Sequence, residues 1–284
     1  MKSILTSFAL FAIALLIGYA GSQGGPNIFG YPSLMLIVSV GFFIHWLIFI
    51  PSYLLKTEKY YDITGTIAYL AMTGIAVFST SELNLQSKVV ALLITFWALR
   101  LGLFLIVRVF QVGEDKRFHG VKTSFSRFFV WFNMSALWVF LTTANALTLI
   151  LENNPHFGGG YFFSGLAIWL IGFGFEVTAD EQKRRFRKNP KNKNQFIDSG
   201  LWSISRHPNY FGEILIWVGM AVISFPVLTG WQYITLISPL FVFLLLTRVS
   251  GINLLEASSD KKWGDLKSYK EYKENTPKLI PFVK

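Results

Sequence analysis

The sequence predicts an all-α fold: a polytopic transmembrane helix bundle of about seven to eight spans with an amphipathic cytoplasmic C-terminal tail. Three observations predict it. The chain of 284 residues is 52% hydrophobic and 17% aromatic but only 15% charged, where a soluble domain carries about a quarter charged residues. Apolar runs close to the ~20 residues that cross a bilayer recur from end to end. The positive charges, finally, gather at alternate connections between those runs, the pattern of membrane proteins whose cytoplasmic loops are basic.

Taken in order, the runs place spans at about 3–20, 32–55, 62–79, 88–110, 127–150, 161–182, 210–225 and 231–249. The first, Ile4 to Ala20, follows Lys2 and precedes Gly18-Tyr-Ala-Gly-Ser-Gln23, which weakly resembles a cleavage site. Its length favours a retained span over a signal peptide. The connections 21–31, 80–87, 151–160 and 226–230 contain no Lys or Arg and use turn formers such as Gly24-Gly-Pro26 and Asn153-Asn-Pro155. The intervening connections carry Lys56 and Lys59, then Lys116, Arg117 and Lys122, then the run from Lys183 to Arg206, and last the seven lysines after residue 250. This asymmetry puts both termini in the cytoplasm and accounts for the net charge of +10 without nucleic acid. The polar stretches at 183–208 and after 250 leave no room for a soluble domain, so residues 1–284 read as a single integral membrane domain. There is no cysteine, which excludes thiolate and disulfide chemistry. In the tail, Leu254, Leu255, Trp263, Leu266, Tyr269 and Tyr272 are spaced for one face of interfacial helices, either an anchor or a lid.

Ionisable side chains inside a span cost at least ~2.5–3.5 kcal/mol at mid-membrane, so each needs a reason. Glu176 and Asp180 lie four apart on one face of the sixth span, and Arg184 and Arg187 continue near that face as the helix leaves the membrane. The row suits acceptors for sugar hydroxyls or an amide followed by phosphate-binding cations, or equally an internal ion-pair ladder. Asn209 and Glu213 are again four apart, just after Pro208, which suits a first helical turn; Arg206 and His207 then stand at the helix entry, where an anion finds backbone N–H groups and the positive dipole end. Arg100 sits midway through the fourth span, with Asp62 at the inner start of the third as its candidate partner. Arg248 ends the eighth span, where a snorkelling role competes with a functional one. His45 has no second ligand at metal spacing and reads as a core hydrogen-bonding residue, while Gly113-Glu-Asp-Lys-Arg-Phe-His119 is a charged inner loop or a phosphate-contacting lid. No nucleophile triad, H-E-x-x-H, Walker A or G-x-G-x-x-G sequence is present, and no metal site is expected.

Gly200-Leu-Trp-x4-Arg-His-Pro-Asn-Tyr-Phe-Gly-Glu213, preceded by Glu176-x3-Asp180-x6-Arg187 and followed by the Lys278-Leu-Ile-Pro-Phe282 ending, resembles the steroid 5-alpha-reductase family in its bacterial DUF1295 branch. The likeness is close in the C-terminal half and loose in the N-terminal half. The shorter R-H-P-x-Y-x-G pattern is shared with isoprenylcysteine and phospholipid methyltransferases, which use S-adenosylmethionine. Those families usually carry a glutamate pair where this chain has Glu256 alone, and the Glu176, Asp180, Arg187 series favours the reductase. The resemblance implies an NADPH-dependent membrane oxidoreductase. It assigns cofactor contacts to Glu176, Asp180, Arg187, Asn209 and Glu213, with Arg206, His207, Tyr210 and Arg248 close by.

The reaction it implies is hydride transfer to the beta carbon of an apolar alpha,beta-unsaturated ketone, such as a delta4-3-oxosteroid or an isoprenoid-like enone taken from membrane lipid. Negative charge then develops on the carbonyl oxygen and needs a positioned donor. By loose alignment the catalytic set is Tyr61, Asp62 and Trp97, with Asp62 as a protonated donor oriented by Arg100.

Overall fold

In the computed structural model, which describes residues 2–112, 116–154 and 159–283, the apolar runs fold as helices, because in hydrocarbon each backbone group must find its partner within its own segment. Among the described residues seven helical segments are long and apolar enough to cross a membrane, and the protein is an integral multi-pass membrane protein. An eighth apolar helix, α7 (Pro208–Ser224), has 17 residues and spans about 26 Å at the helical rise. The chain groups into two compact units, residues 1–162 with 224–238 and residues 163–223 with 239–284.

The first unit is built from α1 (Lys2–Gly21), a short hairpin β1 (Asn27–Ile28) and β2 (Tyr31–Pro32), α2 (Ser33–Leu54), α3 (Tyr61–Phe78), α4 (Leu85–Val112) and α5 (Phe125–Glu152). Its centre is α5, in which every residue from Ser135 to Leu151 except Trp138 is buried, packed against α1, α2, α3 and α4. Helices α3 and α5 run parallel, since their contacts climb together: Tyr61 Oη to the Trp131 carbonyl, Tyr69 Oη to Thr142 Oγ1, and Thr80 Oγ1 to the Ile150 carbonyl. At the end remote from the basic loops, Gln232 donates to both the Gln23 carbonyl at 2.8 Å and Glu152 Oε1 at 2.7 Å. The hairpin turns through Phe29 and Gly30, both at positive φ (52° and 80°), as a two-residue primed turn demands.

The second unit contains α6 (Gly160–Lys188) from Phe163 onward, α7, most of α8 (Ile237–Leu244), α9 (Ile252–Trp263) and α10 (Lys267–Asn275). The run expected as one span at 231–249 is three pieces: a 3-10 helix over Gly230–Leu236, α8, and a π-helical turn over Leu245–Val249 that carries Arg248. Helices α6 and α7 touch backbone to backbone. A Cβ placed on Gly172 would lie 2.6 Å from the Gly212 carbonyl, and one on Gly219 would lie 2.6 Å from the Gly165 carbonyl. Two glycines seven residues apart on each helix make this approach possible, the small-residue packing usual between membrane helices.

Candidate functional site

The close contact of α6 and α7 brings together the carboxylates and the amide that the sequence singles out. A Cβ on Gly212 would lie 2.5 Å from the backbone nitrogen of Glu176, and one turn along, Asn209 Nδ2 donates to Asp180 Oδ1 at 3.3 Å. Glu176, Asp180 and Glu213 are all buried. The segment before α7 is fastened to the same helix: Trp202 donates its indole N–H to the Ala179 carbonyl at 3.1 Å, and the Leu201 N–H bonds Gln182 Oε1 at 2.9 Å. Gly200 allows this with a positive φ of 63° and no Cβ to strike Gln182.

Arg206 and His207, immediately before the Pro208 that opens α7, meet a carboxylate from the tail. Glu256 on α9 bonds His207 Nε2 through Oε1 at 2.9 Å and pairs with Arg206 Nη1 through Oε2 at 3.4 Å; Lys273 of α10 stands 3.8 Å from the same Oε2. The Tyr210 ring stacks on His207. Burial pushes the His207 imidazole below its ordinary pKa even with Glu256 beside it, and burial pushes the Tyr272 phenol upward, keeping it a neutral donor to the Trp202 carbonyl at 2.7 Å. Further along the tail, the Arg206 N–H donates to the Pro277 carbonyl and Ser205 Oγ to that of Leu279. The tail is therefore bound across the motif. A cavity of about 370 Å³ opens between α6, the loop after it, α9 and α10, and its cations are Lys183, Arg187, Lys193, Arg206 and Lys262. Arg187, Arg206 and His207 thus share one cavity. Arg184 pairs outward with Glu181 instead, and Arg248 is exposed on the π-helical turn.

In the first unit, Tyr61 and Asp62 start α3. The Tyr61 hydroxyl donates to the Trp131 carbonyl at 3.0 Å, and its ring is held edge-on by Phe118 and Phe132. Asp62 Oδ2 pairs with Arg108 Nη2 at 3.3 Å, while the Arg100 guanidinium lies 5.6 Å from the centre of the Phe104 ring. Trp97 is fully buried edge-on to Tyr69, two turns or about 12 Å along α3 from Tyr61. Tyr61 and Asp62 therefore lie together and Trp97 deeper in the bundle. Of the charged loop 113–119, Gly113, Glu114 and Asp115 lie outside the described residues.

A family described as a protein of unknown function, DUF1295, matches residues 48–276. The chain belongs to the DUF1295 family. Among curated proteins, it is 30% identical over 126 residues to the 3-oxo-5-alpha-steroid 4-dehydrogenase 1 of Bos taurus, covering 43% of this chain and 42% of that protein. It is 29% identical over 123 residues to the steroid 5-alpha-reductase DET2 of Gossypium hirsutum, with the same two coverages. A shorter match, 29% identity over 86 residues and 30% of each chain, is to the probable O-methyltransferase ustE of Ustilaginoidea virens. The matches span well under half the length of these relatives, and no solved structure matches.

Several residues of this DUF1295 protein were not legible as site residues. Glu256 lies some 50 positions from Arg206 and His207 in sequence, and only the return of the tail joins them. Arg108 is two helical turns past Arg100 on α4, a face that spacing alone does not connect to Asp62. Lys122 and the buried Glu58 form an ion pair at 2.9 Å across the inner loops. The spacing of seven between Gly165 and Gly172, and between Gly212 and Gly219, was the available signal for the α6/α7 contact.

Proposed function

We propose that this DUF1295 protein is an NADPH-dependent membrane reductase that adds hydride to the beta carbon of an apolar alpha,beta-unsaturated ketone such as a delta4-3-oxosteroid. The observation that carries the reading is a polarity sequence within the second unit: buried acceptors Glu176 and Asp180 with Asn209, then, within about 10 Å along α6, the cations Lys183 and Arg187 lining a cavity with Arg206. Carboxylates and an amide beside cations match the hydroxyl, amide and phosphate chemistry of a dinucleotide. Arg206 adds a specific fit, because its buried Nε has no hydrogen-bond partner among the described residues, and a buried unpaired donor costs about 1–3 kcal/mol until something accepts from it.

In this reading Lys183, Arg187 and Arg206 hold the phosphates, and Glu176, Asp180, Asn209 and Glu213 orient the uncharged part. NADPH, when bound, supplies the hydride. The chain itself must supply a donor to the carbonyl oxygen as charge develops there. Asp62, paired with Arg108, serves as an acceptor, so the neutral O–H of Tyr61 is the donor, with the Asp62 to Arg108 pair fixing the start of α3. The similarity of the relatives named as steroid reductases supports the substrate class. The ustE match favours a second reading, an S-adenosylmethionine-dependent methyltransferase.

Calorimetric titration of the purified full-length protein separates the two. NADPH is expected to bind saturably and S-adenosylmethionine not to bind, and Asp180→Ala and Asn209→Ala each to weaken NADPH about tenfold or more, the scale of one hydrogen bond to a charged group. Unaltered NADPH affinity in both variants, or binding of S-adenosylmethionine alone, overturns the reductase.

A further inference from the structure

We propose that Ser135 and His45 are positioning residues that direct the Tyr61 hydroxyl through a buried hydrogen-bonded chain, an assignment that rests on the reading of Tyr61 as the group polarising the substrate carbonyl. The chain starts at the Gly41 carbonyl of α2. His45 is fully buried there, with Nδ1 2.8 Å from that oxygen and Nε2 3.1 Å from Ser135 Oγ on α5. A carbonyl only accepts, so Nδ1 carries the proton, and in the neutral ring Nε2 accepts from the Ser135 hydroxyl. The Ser135 oxygen keeps lone pairs for a further partner, and the Tyr61 hydroxyl, held 3.0 Å from the Trp131 carbonyl one turn back on α5, is placed to become that partner.

Two independent features of the backbone agree. Ser135 Oγ lies 4.0 Å from the position a Cβ would occupy at Gly65, one turn beyond Tyr61 on the same face of α3. The other acceptor for the Tyr61 hydroxyl is the Trp131 carbonyl, and in an α-helix the carbonyl of residue 131 points at the amide of residue 135. The Tyr61 hydroxyl therefore sits over a single turn of α5 that offers Trp131 O and Ser135 Oγ side by side. Phe132, in the same turn, stands edge-on to both the Tyr61 and the His45 rings. With the Tyr61 ring clamped between Phe118 and Phe132, the direction of its O–H is left to these hydrogen bonds.

The chemical consequence concerns one proton with two claims on it. While the Tyr61 O–H rests on Trp131, the Ser135 O–H belongs to His45. When the Tyr61 O–H turns to a substrate carbonyl and that oxygen draws charge, the phenol oxygen becomes the better acceptor, and the Ser135 hydroxyl swings to it by rotation about one bond. No covalent bond breaks. Ser135 thereby strengthens the donor as the transition state is approached, and His45 holds Ser135 in place beforehand.

The test uses full-length protein labelled with 13C at tyrosine Cζ, in which Tyr61→Phe assigns one resonance among the eleven tyrosines. Ser135→Ala is expected to move that resonance and Ser135→Thr, which keeps the hydroxyl, to restore it; His45→Gln moves it from the far end of the chain and decides the matter should the alanine variant not fold. With NADPH and a delta4-3-oxosteroid, Ser135→Ala is expected to lower kcat about tenfold with the KM for NADPH unchanged. A Tyr61 resonance that stays put in Ser135→Ala and His45→Gln overturns the chain. A resonance that moves with kcat unchanged overturns its catalytic role. Absence of turnover in the unmodified protein strikes at the reductase reading instead, and the resonance still decides the chain.

Discussion

His207 is buried where the chain enters α7, and burial outweighs its bond to Glu256 in setting its protonation: its pKa lies below the ordinary value. The unfolded chain then takes up a proton as pH falls through ~6.5, while the folded chain resists until its own lower pKa is reached. Stability from this group is complete above pH ~6.5 and is lost as pH falls from there toward the folded pKa. The apparent Tm in detergent is expected to drop more between pH 7.5 and pH 5.5 for the unmodified protein than for His207→Gln; equal losses would sink the attribution. At this scale the sequence was legible wherever chemistry and helical spacing coincide, as for Glu176 with Asp180 on α6 and Asn209 with Glu213 on α7. It was silent on partners joined only by tertiary return. Glu256 stood alone in a polar tail, and nothing local marked it as the carboxylate that His207, Arg206 and Lys273 surround. The ion pair of Asp62 with Arg108 depends on how α4 is turned about its axis, which no single helix sequence determines.

Helices α6 and α7 are legible as spans from their apolar runs, but the reason they can carry carboxylates lies in their contact. Removing side chains at Gly172 and Gly212 lets the two backbones meet, which buries Glu176 and Asp180 against a polar helix start rather than in lipid. A methyl group at Gly212 would fall 2.5 Å from both the Glu176 nitrogen and the Gly172 carbonyl, backbone atoms that cannot swing aside. Gly212→Ala is therefore expected to destabilise by about 1–3 kcal/mol and to weaken NADPH binding by displacing Asn209 from Asp180. Gly174, on the same helix with nothing within 4 Å of its Cβ position, is the control: Gly174→Ala is expected to leave binding unchanged and to stabilise slightly, since alanine is favoured over glycine in a helix by up to about 1 kcal/mol. Denaturant or thermal unfolding of the two variants measures the contrast, and equal behaviour would refute the packing argument. The breaks in the last apolar run were not legible for the opposite reason. Gly230–Leu236, Ile237–Leu244 and Leu245–Val249 differ in hydrogen-bond register, not in hydrophobicity, so composition reads them as one span.

Over the whole molecule the strongest signal in the sequence is the alternation of charge between connections, and it makes a claim about sidedness that helix geometry by itself does not. The connection 80–87 contains no Lys or Arg, with Lys88 just beyond its edge, whereas 183–208 carries the densest cations in the chain. Three helices, α4, α5 and α6, lie between the two, and an odd number of crossings puts them on opposite sides of a membrane. The positive-inside rule assigns the basic side to the cytoplasm, which is also where the cavity lined by Lys183, Arg187 and Arg206 must open if a soluble dinucleotide is to reach it. The division into two compact units was not legible, because both are made of the same apolar helices with no linker of distinct composition between them. Sidedness, however, can be tested cleanly because the chain contains no cysteine. Ser81→Cys and Lys191→Cys each place one thiol at an exposed position. A membrane-impermeant maleimide applied to spheroplasts of a bacterial expression host is expected to label Ser81→Cys at once and Lys191→Cys only after the membrane is broken. The reverse pattern would put the basic cavity outside, away from cytoplasmic NADPH, and so would count against the proposed cofactor as well as the orientation. Equal labelling of both before lysis would deny that three helices cross between them.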